Sequence, residues 1–532
     1  MNKSVVTMVA WCVIEFLGIV APSKAQQSSP SITQPKPIQI QSGQLQGVIE
    51  DGLTVYRGIP FAAPPVGDLR WRAPRAVASW RGVLDATDFK PACMQKGPTL
   101  PGMMEKYSED CLYLNVWTPA TVAHEALAVM VYVYGGGGGS GSGSVRLYWG
   151  DNLAKKGVVF VTLNYRVGAL GALAHPELTR EAGTSGNYGL RDIIAALKWV
   201  HANIAMFGGD PANVTLFGQS AGAYYASMLM VSPTARGLFR RVIASSGGEF
   251  GTPTAKDAFP TLVEAEQVGV AYAQKLGVST VREMRRVPAA AIVDADNKMM
   301  TDGVSALQVN IDGHLIPKEA REVFADGKQL SSDLLVGSNA DEGVNLSQQG
   351  SHDSAAKYVA DTRARYGELA ERFLAVYPAR SDSEATQSQL RLKSDELSWR
   401  MVSWARFEAK KGIAHVYVYR FSTVPPFAPW PQLNAAGHGA ELPYVFGFPP
   451  AALLAKFEPL DRASLHARIE DQIQTYWTNF AKVGDPNGPG LPKWPSFDEP
   501  AQRIMNIADV FVAEDLPNKV AIELQDAHHS SR

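Results

Sequence analysis

Apolar residues recur along this chain in short unbroken runs separated by longer stretches of helical period. Ala128 to Tyr134 and Val158 to Tyr165 are rich in β-branched and aromatic residues and close on turn formers. Runs of this kind predict strands buried on both faces. Val214 to Phe217, Val242 to Ser245, Leu334 to Gly337 and His415 to Phe421 read the same way. Leu190 to Phe207 instead carries Ile193, Ile194, Leu197, Val200 and Ile204 at helical spacing and stops at Gly208-Gly209-Asp210-Pro211, which predicts an amphipathic helix and its end. Strands separated by helical segments predict an α/β fold: a mainly parallel central sheet covered by helices, with helical insertions. There is no repeat of fixed period, and the one low-complexity tract is Gly135 to Ser144. One large domain from roughly residue 35 to residue 525 is the economical arrangement.

The first 25 residues stand outside this pattern. Lys3 precedes an apolar run from Ser4 to Ile14, Phe16 to Ala21 follows, and Ser23-Lys24-Ala25 supplies small residues for cleavage. A secretory signal peptide over residues 1–25, cut after Ala25, is expected, leaving 26–532 as a single secreted or periplasmic domain. A membrane anchor would need ~20 consecutive apolar residues, and Glu15 breaks the run, so no span is expected in the mature protein. Trp11 is bulky where lipoprotein processing at Cys12 would want a small residue. Once Cys12 leaves with the leader, Cys93 and Cys111 remain. An even pair in an oxidising compartment predicts one disulfide, worth about 3 kcal/mol by loop entropy.

Composition narrows the partners. The 532 residues are 46% hydrophobic and 19% charged, with a formal net charge of −2. Disorder needs low hydrophobicity and high charge, and polyanion binding needs a basic excess, so nucleic acid is not an expected partner. With no further Cys, no H-E-x-x-H and scattered histidines, a zinc site has no support.

The chemistry concentrates at Gly218-Gln219-Ser220-Ala221-Gly222, which follows the strand Val214 to Phe217 and precedes the helix-compatible run Ala223 to Val231. Strand, sharp turn and helix form the context of a nucleophile elbow, in which small residues two before and two after the Ser let its hydroxyl stand exposed. A serine hydroxyl is weak at neutral pH and needs a base held by a carboxylate. Of ten histidines, His438 lies between Gly437 and Gly439 in a loop beyond the strand His415 to Phe421. For the acid, Asp341 and Glu342 both follow the strand Leu334 to Gly337, and spacing does not choose between them. The order Ser, acid, His, each just after a strand, is the order of the α/β-hydrolase fold. The glycine loop from Tyr134 to Ser142 leaves a strand and bares backbone N–H groups suited to a developing oxyanion. It lacks the Lys that a phosphate-binding loop would carry, and a flexible linker directly after a buried strand is a poor alternative.

Taken together these segments resemble the type-B carboxylesterases of the cholinesterase and carboxylesterase family. The resemblance runs through Tyr56-Arg57-Gly58-Ile59-Pro60-Phe61-Ala62, Ser108-Glu109-Asp110-Cys111-Leu112-Tyr113-Leu114-Asn115-Val116, Asn164-Tyr165-Arg166-Val167-Gly168, the Ser220 elbow, Asp341-Glu342-Gly343, His438-Gly439 and Trp477-Thr478-Asn479-Phe480-Ala481. It implies the triad Ser220, Glu342 and His438, and oxyanion donors on the backbones of Gly136, Gly137 and Ala221. It also implies a Cys93–Cys111 disulfide, ion pairs of Arg70 with Glu109 and Arg166 with Asp192, and a supporting role for Ser246. Three departures bear on substrate: Gln219 stands where cholinesterases carry Glu, no Trp lies between Cys93 and Cys111, and Gly138 replaces the usual aromatic. Choline esters are therefore not expected, whereas a roomier acyl side and a preference for bulky neutral esters are.

The expected activity is hydrolysis of a small carboxylic ester through an acyl-enzyme, with no cofactor and no metal. Two alternatives share the scaffold. A serine peptidase or amidase would use the same acyl chemistry, and a matched ester and anilide would separate it. A non-catalytic binding protein would have lost triad residues, and this chain keeps all three.

Overall fold

The computed structural model describes residues 35–96, 106–250, 259–301, 309–346, 354–426, 434–448, 460–498 and 500–530. The expected leader over residues 1–25 lies outside the described residues. The apolar runs become the middle of an eleven-stranded sheet. In chain order its strands are β1 (Val48–Glu50), β2 (Leu53–Pro60), β3 (Tyr113–Thr118), β4 (Leu127–Val133), β5 (Val159–Leu163) and β6 (Gly209–Gln219). They continue with β7 (Arg241–Ser245), β8 (Asp333–Asn339), β9 (Val416–Phe421), β10 (Arg503–Ile507) and β11 (Phe511–Asp515).

Across the sheet the order is β11-β10-β9-β8-β7-β6-β4-β5-β3-β2-β1. From β10 to β5 every neighbouring pair is parallel. The margins are antiparallel: β11 on β10 at one side, and β3, β2 and β1 in succession beyond β5 at the other. Parallel strands must be covered on both faces, and the central ones are: Val129 to Val133 and Leu216-Phe217 are fully buried.

Helices supply the cover. The predicted amphipathic helix is α1 (Tyr188–Asn203), whose last turn tightens into a 3₁₀ segment, Ile204–Phe207, before Gly208. Next come α2 (Ala221–Val231), packed on β6 and β7, and α3 (Asp382–Lys411), packed on β8 and β9. The Ser381 side chain caps α3 by accepting from the Glu384 N–H, and Gly412 ends it, which satisfies backbone groups that a helix terminus leaves open. Two more helices, α4 (Leu460–Val483) and α5 (Lys519–Ser530), follow.

One expectation about strand length needs correction. The sequence predicts a strand over Val214 to Phe217, whereas β6 begins at Gly209. Gly209 pairs with Leu127 and, after a register shift, Val214 pairs with Val129. The Gly-Asp-Pro stretch thus ends the helix as predicted but already lies along the sheet, across an irregularity of the kind that interrupts a ladder without ending it.

Candidate active site

Ser220 sits where β6 hands over to α2. Its backbone has φ 55° and ψ −123°, a region that costs an L-residue ~1–3 kcal/mol and persists only where the surroundings impose it. The surroundings do so here. The Ser220 N–H donates to Ser245 O at 2.8 Å, and Ser220 O accepts from Tyr224 N–H at 2.9 Å. A Cβ on Gly218 would lie 2.4 Å from Gly222 O, one on Gly222 would lie 1.9 Å from Val133 O, and one on Gly247 would lie 2.1 Å from Ser220 O. Glycine at these three positions is what lets the chain turn back on itself, and the N-terminus of α2 then backs the serine.

Glu342, in the turn after β8, and His438 are brought together. His438 Nδ1 donates to Glu342 Oε2 at 2.6 Å, and Glu342 is fully buried. The other carboxylate oxygen accepts the Asn339 N–H at 2.7 Å and the hydroxyl of Ser246. With Nδ1 carrying its proton towards the carboxylate, Nε2 is left as the acceptor. It takes the side-chain N–H of Gln219 at 3.3 Å, on the residue preceding Ser220. Burial pulls the His438 pKa down, but the Glu342 charge, the hydrogen bond to it and the Glu441 charge outweigh burial and raise it above the usual histidine value.

The rival acid, Asp341, faces another way. Its N–H donates to Ala436 O at 3.0 Å and its carboxylate accepts the Ala436 N–H at 2.9 Å. Asp341 therefore holds the loop that carries His438 and makes no contact with the imidazole among those described.

The glycine loop lies against the elbow. A Cβ on Gly135 would stand 2.9 Å from Ser220 Cβ and 2.8 Å from Gln219 O, so the absence of a side chain is what allows this approach. Gly136, Gly137 and Gly138 follow with φ 114°, 64° and 74°, a succession that only glycine adopts readily. The loop closes on itself through Gly139 N–H and Ser140 N–H, which donate to Gly136 O, and is tied down by Gly168 N–H to Gly138 O. Ala221 begins α2, where the first N–H groups have no intrahelical partner. A Cβ at Gly138 would stand 3.0 Å from the Tyr225 hydroxyl, so a phenol carried by α2 reaches towards this glycine.

Several residues escaped the sequence reading. Glu441, three positions after His438, is buried; burial and the Glu342 charge push its carboxyl up to about 7, against the opposing effects of Asn339 and His438. Asn339 donates to Glu441 Oε2 at 2.6 Å and to Gly437 O at 2.7 Å, fastening both sides of His438. An acid inside the otherwise apolar run Ala440 to Phe446 was the signal available. The short helix Leu442–Phe446 anchors this loop, because the Phe446 ring packs on Tyr132, Phe160 and Phe217 at 4.9, 5.9 and 6.0 Å.

The expected supports are also in place. Arg70 meets Glu109 through Nε at 2.6 Å and Nη2 at 2.5 Å, and Arg166 meets Asp192 at 2.8 and 2.7 Å. Both are two-point guanidinium–carboxylate forks, the stronger geometry for such pairs. Cys93 and Cys111 are joined by a disulfide and buried. Among the described residues no group of three or more His, Cys, Asp or Glu side chains could share a metal ion, and no helix is long and apolar enough to cross a membrane.

Known proteins resemble the chain over this whole frame. The model of the Carboxylesterase family matches residues 34–524. Fumonisin B1 esterase of Sphingopyxis macrogoltabida is 36% identical over 505 residues, covering 92% of this chain and 89% of that protein. Para-nitrobenzyl esterase of Bacillus subtilis (strain 168) is 35% identical over 500 residues, covering 90% and 96%. Human neuroligin-2 is 32% identical over 507 residues, covering 84% of this chain and 59% of its own length. Among solved structures, a PNB esterase superposes with a TM-score of 0.78 at 33% identity, covering 92% of this chain and 99% of that one.

Proposed function

The chain belongs to the carboxylesterase family and has its α/β-hydrolase fold, and from that premise we propose that it hydrolyses small carboxylic esters by two-step acyl transfer through Ser220, His438 and Glu342. His438 Nε2 takes the Ser220 proton as the oxygen attacks the ester carbonyl. The backbone N–H groups of Gly136, Gly137 and Ala221 receive the charge that develops on the carbonyl oxygen. His438 then gives the proton to the leaving alcohol, and the acyl group stays on Ser220. A water molecule, deprotonated by the same imidazole, attacks the acyl-enzyme and regenerates the serine.

The observation that carries this reading is the 2.6 Å bond between His438 Nδ1 and a fully buried Glu342. It leaves the opposite ring nitrogen as an acceptor beside the elbow, and the imidazolium formed during attack is stabilised by the carboxylate behind it. Gln219 in place of an acid, and the lack of Trp between Cys93 and Cys111, favour neutral esters over choline esters. The buried Cys93–Cys111 disulfide supports secretion or periplasmic export after cleavage near Ala25, with residues 26–532 as the catalytic domain.

Covalent labelling tests the assignment. A sulfonyl fluoride should inactivate the enzyme with one adduct at Ser220 by peptide mass spectrometry, and Ser220→Ala should lower ester turnover by several orders of magnitude with the fold intact. An adduct at another serine, or an active alanine variant, overturns it. Turnover of a matched anilide at a rate comparable to the ester would move the proposal to an amidase.

A further inference from the structure

The helix that follows the elbow is buried except along one line. Within α2, Ala221, Tyr224 and Tyr225 are partly exposed, and the other residues are buried. Positions i, i+3 and i+4 share one face of a helix, so the two tyrosines and the Ala221 side chain form the one open face of α2. The Tyr225 hydroxyl also reaches the glycine loop, 3.0 Å from where a Cβ on Gly138 would be.

The phenol is held there by other rings. Tyr225 meets Tyr165 edge-on at 5.3 Å and Tyr224 at 5.6 Å. Tyr165 in turn stacks on Tyr134 at 4.3 Å and donates its hydroxyl to Tyr134 O at 2.7 Å. Tyr134 is the residue that leads into the glycine loop, so loop and phenol are parts of one packed unit. The Tyr225 hydroxyl nevertheless has no hydrogen-bond partner among the described residues. Burial pushes its pKa up to about 12, so it stays a proton donor at any ordinary working pH.

A rigid O–H donor beside the oxyanion loop, with no hydrogen-bond partner among the described residues, is placed to meet the substrate. We infer that Tyr225 is a specificity-determining residue: its hydroxyl hydrogen-bonds an acceptor oxygen carried by the ester close to the scissile carbonyl, so that oxygen-bearing esters are preferred over hydrocarbon isosteres. The inference rests on the proposed roles of Ser220 and the Gly136–Gly137 amides and adds the chemical class of substrate to them.

Two matched pairs test it, each exchanging one methylene for an ether oxygen. One pair varies the acyl half, p-nitrophenyl methoxyacetate against p-nitrophenyl butyrate. The other varies the alcohol half, 2-methoxyethyl acetate against butyl acetate. The ratio of kcat/KM within each pair is compared between the unmodified enzyme and Tyr225→Phe, so the intrinsic reactivity of each ester cancels. Loss of one neutral hydrogen bond should lower the ether-to-hydrocarbon ratio roughly 2- to 12-fold in one pair, and the pair that responds identifies the half of the ester that Tyr225 meets. Tyr225→Leu should lower the same ratio, which keeps the test open if either variant folds poorly. Ratios unchanged in both pairs overturn the inference, and so does an equal loss on all four esters, which is what a purely structural role would give. Failure of the Ser220 assignment shows separately, as residual turnover in Ser220→Ala.

Discussion

Asp341 and Ala436 bind each other twice, backbone N–H to backbone carbonyl at 3.0 Å and backbone N–H to carboxylate at 2.9 Å. The adjacent pair Asp341-Glu342 thus divides its labour: one acid holds the loop and the next holds the imidazole on that loop. Removing the clamp without touching the imidazole should loosen the geometry of the site. Asp341→Ala is expected to cost ~1.5–3 kcal/mol in equilibrium unfolding, the range for a hydrogen bond to a charged group, and to lower kcat/KM about tenfold or more through misplacement of His438. Asp341→Asn keeps an acceptor oxygen and should recover most of both. Glu342→Gln should instead lower turnover by about 10³ to 10⁴ with the clamp intact. Equal losses at the two positions would contradict the division.

The pH profile carries a sign. A protonated imidazole cannot accept the serine proton, so activity is present above the apparent pKa of His438 and lost below it. Because Glu342 and Glu441 raise that value against burial, the acid limb of kcat/KM should have its midpoint above the unperturbed histidine value of ~6.5. Glu441→Gln removes one raising charge and should move the midpoint to lower pH. Glu342→Gln removes both a charge and a hydrogen bond, and its midpoint should move further in the same direction. Stopped assays of a p-nitrophenyl ester between pH 4 and 9 would show this, and a profile flat down to about pH 4 would sink the histidine base.

At Gly138 the expected outcome is strain. Its φ of 74° disfavours any L-residue by ~1–2 kcal/mol, and a Cβ would press on the Tyr225 hydroxyl. Gly138→Ala should therefore lose that much stability in denaturant unfolding. The double variant with Tyr225→Phe should lose less than the sum of the single changes, because one of the two contacting atoms is gone. Strict additivity would mean the pair is not in contact.

Replacing both Cys93 and Cys111 by Ser should destabilise the protein by about 3 kcal/mol, since the bond closes a short loop in the unfolded chain. Denaturant unfolding of both proteins under non-reducing conditions checks this, and equal stabilities would show that the bond contributes little.

Local chemistry made much of this readable from the sequence. The elbow is a strand, a turn and a helix within a few residues, and the small side chains at 218 and 222 that identify it are the ones its close contacts demand. The buried strands were legible because parallel strands covered on both faces must be apolar throughout. Asp341 and Glu342 could not be told apart by spacing, because the choice depends on which one faces residues 436 to 438, nearly a hundred positions later. Glu441 and Asn339 were missed for the same reason: their role lies in contacts between two loops. Tyr225 was hidden by its setting, since an aromatic residue in an apolar helix reads as core, and only the packing of α2 leaves it on the open side.

The order of strands also governs how the site comes into being as the chain is made. From β6 to β11, sequence order and sheet order coincide, so each new strand can join the free edge left by the one before, and none has to be inserted between two already paired. Ser220 is laid down first, Glu342 two strands later, and His438 only after β9 has joined. A nascent chain that has not reached residue 446 lacks the ring that anchors the His438 loop to the central sheet. Prematurely terminated products are therefore expected to carry a formed elbow and no hydrolytic activity, and competence arrives in one step near the end of synthesis.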